Sequence, residues 1–308
     1  MFNEKNDNID HIIEKEEKAT EMIASIGVTL KKSNMENVYI QTMLVLYRKC
    51  FLPKLLYGLK GFYIKESEIE KLEVVNRKII RNFAGLPKCA PKIALNIEFG
   101  IMPLEIDIFK RKLMMWNRLN NDKANILLKN VKREQVKENL PWMKQIIQIA
   151  CKIGVDLEEG RKVSKEKWKK RVDEKIYQYV KKYSEEEVRK LKKYKEIMKD
   201  EIEPGVQKKY MSLTVKKAAS IFRARTDTID TKPRKPYWEK SQMKCKFCNE
   251  KKQSSRHYIV ECIETERYFE NKMNREEVWR IVEKLEASQE DLKQTATIIQ
   301  RIIKEINK

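Results

Sequence analysis

The sequence predicts an all-α protein, and three observations carry that expectation. Only eight glycines and eight prolines interrupt 308 residues, and these are the residues that most often break a helix. The chain is weighted toward Lys, Glu, Ile, Leu and Met, which suit helices. Apolar residues also recur three and four positions apart over long stretches, the period at which one helical face meets a core. With 41% hydrophobic residues, a chain of this length can build one large or two modest domains.

Taken in order, the first element is a helix over about residues 8–32, where Ile9, Ile12, Ile13, Ala19, Met22, Ile23, Ile26 and Leu30 share a face. The run VYIQTMLVLYRKCFLPKLLYGLK follows and is apolar nearly all round. It predicts a buried helix bent at Pro53, which removes a backbone donor. Ser67 and Glu70 form a capping box ahead of Ile69, Leu72, Val75, Ile79, Ile80 and Phe83, and Gly85 and Pro87 stand where that helix stops. Another helix starts near Pro103 and carries Ile106, Phe109, Leu113 and Trp116 on one side. Residues 133–153 read as helical. Beyond GVDLEEGRKVS, Trp168, Val172, Ile176, Tyr179, Val180 and Tyr183 mark one face of a strongly basic helix. Ser184 and Glu187 suggest a second capping box, so residues 155–203 read as a helical hairpin ending before Pro204. A final helix runs from about Arg275 to Lys308.

Charge narrows the partners. Lys and Arg number 67 against 46 Asp and Glu, a formal surplus of 21. A surplus that large favours a polyanion over a small metabolite, with nucleic acid first and an anionic membrane surface second. The N-terminal MFNEKNDNID is too polar for a secretory signal, and no stretch approaches the ~18 apolar residues of a membrane span. The expected location is intracellular, nuclear and/or cytoplasmic. No phosphate-binding glycine loop, nucleophile elbow or H-E-x-x-H helix occurs. His11 sits alone on a charged segment, and Asp227 and Asp230 read as salt-bridge partners of nearby arginines.

One cluster carries recognisable chemistry. Cys245, Cys248, His257 and Cys262 are spaced C-x2-C-x8-H-x4-C. The two-residue gap lets both sulfurs reach one ion from a tight turn, and the four-residue gap fits one helical turn. Together they predict a closed, tetrahedral, structural Zn2+ site with no open position for a catalytic water. Lys244, Lys246, Lys251, Lys252 and Arg256 would offset its net negative charge. Cys50, Cys89 and Cys151 lie singly and read as reduced core residues.

Two regions, Tyr39 to Leu119 and the stretch around the cysteine-histidine cluster, resemble a known family. LYRKCFLPKLLYGLKGF and LEVVNRKIIRNFAGLPKCAPKIALNIEFGIMPLEIDIFKRKLMMWNRL resemble the region just after the palm in reverse transcriptases of non-LTR retrotransposons. The landmarks are Leu55-Leu56-Tyr57-Gly58, Gly85-Leu86-Pro87, Ala90-Pro91 and Gly100 to Leu104. AASIFRARTDTIDTK with the Cys-Cys-His-Cys cluster resembles the same family's C-terminal zinc knuckle. The resemblance implies a thumb-like helical domain over 1–131, a basic helical linker or hairpin over 132–210, a knuckle region over 211–270 and C-terminal helices over 271–308. It also implies a partner that is RNA and/or DNA, gripped through its backbone. The Y-x-D-D carboxylates that hold two catalytic metals in this family are missing, so no polymerase chemistry is expected of the chain by itself.

Candidate contacts combine cations with aromatic faces, the pairing that holds phosphates and unstacked bases. They are Lys167, Lys169, Lys170 and Arg171 in KWKKR, Arg223 and Arg225 in FRAR, and Lys244, Lys246, Phe247, Arg256 and Tyr258 in the knuckle, with KPRKPYWEK (232–240) beside them. Phe247 and Tyr258 serve equally well as packing around the metal. The alternative function is a zinc-stabilised helical module that binds a protein.

Overall fold

A computed structural model describes residues 38–120, 126–198, 202–230, 244–249, 253–269 and 273–307, together with Glu21 and Ser25. The helix expected over 8–32 and the KPRKPYWEK segment lie outside them, apart from those two residues. The described residues are helical, with no β-strand among them. They divide into two compact units that alternate along the chain. One comprises Met1–Glu21, Arg48–Asn76 and Met102–Ser184; the other comprises Met22–Tyr47, Arg77–Ile101 and Glu185–Lys308.

The apolar run after Asn37 forms α1 (Tyr39–Leu46), a π-helical turn (Tyr47–Phe51) and α2 (Leu52–Leu55). Pro53 falls in the first turn of α2, where its missing N–H costs nothing, and the widened turn before it absorbs the break. Helix α3 (Glu66–Ala84) is capped differently from the expected box: Glu68, not Ser67, carries the cap, its carboxylate accepting the Lys65 N–H at 2.7 Å. The C-terminus matches expectation, because Gly85 at φ 64° lets the Leu86 N–H reach Arg81 O at 2.9 Å. Helix α4 (Lys92–Phe99) ends the same way at Gly100, where a Cβ would stand 2.7 Å from the backbone of Val206 and Gln207.

The first unit is built on α5 (Leu104–Asn120), whose N-terminal Leu104 N–H is accepted by buried Glu73 at 2.8 Å. Beyond α6 (Ile126–Lys137) come α7 (Pro141–Ile153), α8 (Leu157–Lys162) and α9 (Lys165–Lys190). Ile106, Phe109 and Leu113 meet Ile149, Ile153, Trp168, Val172, Ile176 and Val180 in one apolar core. Indole N–H groups fasten it: Trp168 donates to Leu113 O at 2.9 Å and Trp116 to Leu157 O at 3.1 Å. Gly160 has no alternative here, since a Cβ would lie 2.9 Å from the Trp168 ring. Lys112 is fully buried and donates to Phe62 O.

The expected hairpin is one 26-residue helix. Ser184 is buried inside α9 rather than capping a new helix, and the chain turns only at Leu191 before α10 (Lys192–Ile197). A serine at the right offset from a glutamate does not stop a helix whose apolar face, here Val180 to Val188, continues into the core. Further on, α11 (Val215–Arg225) packs on α13 (Gln289–Ile306), with Ser220 Oγ donating to Ala296 O at 3.1 Å. The single helix expected from Arg275 is two, because α12 (Arg275–Lys284) ends at Leu285 with φ 57° and Ser288 caps α13 by accepting the Asp291 N–H. Cys50, Cys89 and Cys151 are exposed, not core residues. Their neighbours fill the core, and the thiols fall on the outer side of their turns.

Candidate metal centre and basic surface

The cysteine-histidine cluster assembles. The donor atoms of Cys245, Cys248, His257 and Cys262 all lie within 4.8 Å of one another. Cys245 Sγ and Cys262 Sγ are 3.7 Å apart, and Cys248 Sγ is 3.4 Å from His257 Nε2. A tetrahedral ion held ~2.3 Å from sulfur and ~2.0 Å from nitrogen has edges of roughly 3.8 and 3.6 Å. Two of the pairs already sit near those edges, and the four side chains, none more than 4.8 Å from another, could close on one metal ion with a small adjustment.

Local chemistry explains the convergence. Cys245 and Cys248 bracket a turn in which the Phe247 N–H points at Cys245 Sγ (3.4 Å) and the Asn249 N–H bonds Cys245 O (2.9 Å). Asn249 takes φ 62°, a left-handed conformation that asparagine tolerates. His257 opens a π-helical turn, and the wider turn, rather than the expected α-turn, carries the chain back so that the Cys262 N–H bonds His257 O at 2.8 Å. His257 Nδ1 lies 3.4 Å from Glu261 Oε2, which leaves Nε2 for the ion and fixes the ring. Burial pushes the Cys245 thiol up to about 12, with Cys262 adding to the rise, and burial raises Cys262 as well. Without a cation these thiols keep their protons; a bound ion would displace them.

The module is seated in the second unit's core. Tyr258, Ile259 and Cys262 pack with Val278, Trp279, Val282, Ile299 and Ile302 of α12 and α13. Arg275 spans the turn by donating to Ile259 O at 3.0 Å and Thr265 Oγ1 at 3.0 Å. Asp227 holds it to the end of α11: at φ 53° it finishes that helix, and its Oδ1 accepts the Ser255 N–H at 2.6 Å. Glycine is the common choice at such a helix end, but glycine could not make this second bond. Asp230 pairs with Lys246 (3.5 Å), and its charge also acts on the Arg223 guanidinium.

The proposed nucleic-acid contacts separate into two groups. Lys167, Lys169, Lys170 and Arg171 are exposed on α9. Lys169 is 3.4 Å from Asp173 and Arg171 3.5 Å from Glu159, both surface pairs, while Lys167 and Lys170 have no acidic partner among the described residues. Lys244, Lys246 and Arg256 are also exposed, although Lys246 reaches back to Ile306 O at 2.8 Å. Arg225 is a correction. It is 2% exposed, and its Nε meets Glu98 Oε1 at 2.9 Å. Its Nη1 donates to the Val282 and Glu283 carbonyls at the end of α12. Glu98 also accepts the hydroxyls of Tyr194 and Tyr210, each at 2.8 Å, and burial beside that carboxylate raises both phenols well above their ordinary range.

Arg223 is a second correction, because it is half-buried and donates to Thr228 O (3.1 Å) and Ile229 O (2.6 Å), closing the turn after α11. Tyr258 is the third: it is 1% exposed and stacks edge-on against Phe247, so it fills the module instead of presenting a face. Phe247 remains partly open, between Tyr258 and Tyr268. Missed altogether were Glu98 and Asp227 as anchors. The lone carboxylate in ALNIEFG, on an otherwise apolar helix, was the available signal for Glu98. No family model matches the chain, and no curated protein or solved structure proves similar to it. Among the described residues no helix is long and apolar enough to cross a membrane.

Proposed function

We propose that the chain binds RNA or DNA as the non-catalytic, thumb-and-knuckle portion of a non-LTR reverse transcriptase, with Zn2+ in the Cys245–Cys248–His257–Cys262 cluster. The observation that carries the reading is the exposed, incompletely paired cationic face of α9 at Lys167, Lys169, Lys170 and Arg171, in a chain with 21 surplus positive charges. Such a face neutralises phosphates and releases their counterions. Three thiolates and one imidazole are a donor set that suits zinc, and the ion would supply folding energy at a closed site. Glu98, Arg225 and the tyrosines hold the scaffold and touch no ligand in this reading. The chain performs no nucleotide addition itself.

The test is filter binding of single-stranded RNA and DNA across a salt series. Expected is a log–log slope of about −0.7 per phosphate contacted, so about −4 for six contacts. A slope near zero sinks the reading. Elemental analysis should return one zinc per chain; chelation, or Cys248→Ser, should unfold residues 244–269, seen as lost amide-exchange protection there. A second reading, a module that docks a protein, draws on α6, where Ile126, Leu127 and Val131 are 76%, 67% and 51% exposed and no residue is buried. It expects weak binding of nucleic acid that is indifferent to zinc and to which lysines are replaced.

A further inference from the structure

Beside the metal centre, in the second unit, lies a cleft of about 190 Å3 walled by α10, the end of α11, the Ser254–Arg256 turn and α12. Two of its lining groups are out of place in a folded interior. Trp279 is 7% exposed and Ser255 2% exposed, yet among the described residues neither the buried indole N–H nor the buried Ser255 hydroxyl has a hydrogen-bond partner. Interiors rarely leave such groups unanswered, because a buried donor without an acceptor is costly. The other indoles among the described residues, at Trp116, Trp142 and Trp168, each donate to a backbone carbonyl.

The rest of the wall shows what would answer them. Lys193 and Arg256 bring cations to the mouth, and Glu196 and Glu283 bring acceptors. Lys193 and Asp227 also line a neighbouring, wider groove of about 460 Å3, whose wall includes Lys190, Lys192, Cys89 and Asp230. Lys192 and Lys193 are exposed and have no acidic partner among the described residues. A volume of about 190 Å3 is below the ~300–1,000 Å3 of pockets that enclose a whole drug-sized ligand. It suits one planar group on a longer chain lying in the open groove.

We infer that this cleft receives a single unstacked base of a single-stranded nucleic acid, with Trp279 and Ser255 bonding the base edge and Lys192 and Lys193 holding the adjoining phosphates. A base edge offers both carbonyl or ring-nitrogen acceptors for the indole N–H and amino donors for Glu196 or Glu283, which a phosphate alone does not. The inference rests on the nucleic-acid reading above and adds where along the strand a base, rather than the backbone, is read.

The test titrates the full zinc-loaded chain, by fluorescence anisotropy, with a labelled twelve-residue oligonucleotide and an abasic oligomer of equal length and charge. Trp279→Phe keeps the packing and removes the N–H; it should weaken binding of the base-bearing oligomer about three- to tenfold, the value of one hydrogen bond. The abasic oligomer should be unaffected, and the salt slope unchanged. Ser255→Ala should act in the same direction and, being the smaller change, decides the matter if Trp279→Phe lowers the melting temperature. Equal loss on both oligomers, or no loss on either, overturns the base site while leaving a steep wild-type slope, and with it the broader reading, intact. A cleft that serves a partner protein's backbone gives the no-loss outcome. A wild-type slope near zero overturns both.

Discussion

KWKKR at 167–171 and FRAR at 222–225 are near twins in composition, and they meet opposite fates. In the first, the tryptophan alone turns inward, 0% exposed, and every cation stays in water. In the second, phenylalanine and Arg225 are both interior, and Arg223 is half there. The difference is a partner 127 residues away, Glu98, which no local pattern reveals. A basic cluster is thus a surface feature only until a distant carboxylate has been looked for. Fully hydrogen-bonded, the pair is tolerated; half of it is not.

Removing one side of that pair should have the largest effect. Glu98→Ala leaves a buried guanidinium and two tyrosine hydroxyls unanswered, and Arg225→Ala strands the carboxylate. Each is expected to cost about 3–5 kcal/mol in urea titrations. A loss under about 1 kcal/mol for both would mean that the two clusters do not differ after all.

Lys112 shows a third fate, a buried amine with no carboxylate bonded to it among the described residues. Burial brings its amine down to about 7 from 10.5. Between those values the unfolded chain holds a proton that the folded chain does not. Wild-type stability therefore rises with pH there, by up to about 1.4 kcal/mol per unit, and the penalty is complete below pH 7. Lys112→Met lacks this dependence, so its advantage over wild type should be greatest at pH 6 and shrink steadily toward pH 10. An advantage constant across that range would rule out desolvation as the cause.

Arg223→Ala removes two bonds to carbonyls and should cost about 1–2 kcal/mol, with little change in the salt slope of nucleic-acid binding. The smallest stability effect belongs to the exposed twin. Replacing Lys169, Lys170 and Arg171 with alanine should move the unfolding midpoint by no more than about 0.5 kcal/mol, while flattening the salt slope by up to about two units. If Arg223→Ala flattens the slope as much, it is the half-buried cluster that meets phosphate.

What was legible in the sequence shares a physical trait: it depended on neighbours in the chain. The face of α9 from Trp168 to Val180 follows from spacing alone, the stop at Gly85 from one left-handed residue, and the metal cluster from ligands within 18 positions of each other. Illegible features were settled by distant packing. Ser184 is swallowed by a longer helix, Leu285 ends α12 in a conformation usually left to glycine, and Tyr258 is covered by α12 and α13. The Trp279 N–H, unmet among the described residues, belongs with these, since an unmet bond becomes visible only once the surrounding side chains are placed.

The alternation of the two units along the chain also sets a timetable. Synthesis proceeds at ~5–20 residues per second, so the 127 positions from Glu98 to Arg225 take about 6–25 s on the ribosome. For most of that interval the carboxylate is outside the exit tunnel and its arginine does not yet exist. The last residue of the first unit is Ser184, which emerges well before Arg225 and before the Val282 carbonyl that Arg225 also needs. One unit can therefore finish while the other waits with its central charge in water. A ribosome stalled near residue 215 should display the first unit protease-resistant and the Lys92–Phe99 helix still open to cleavage.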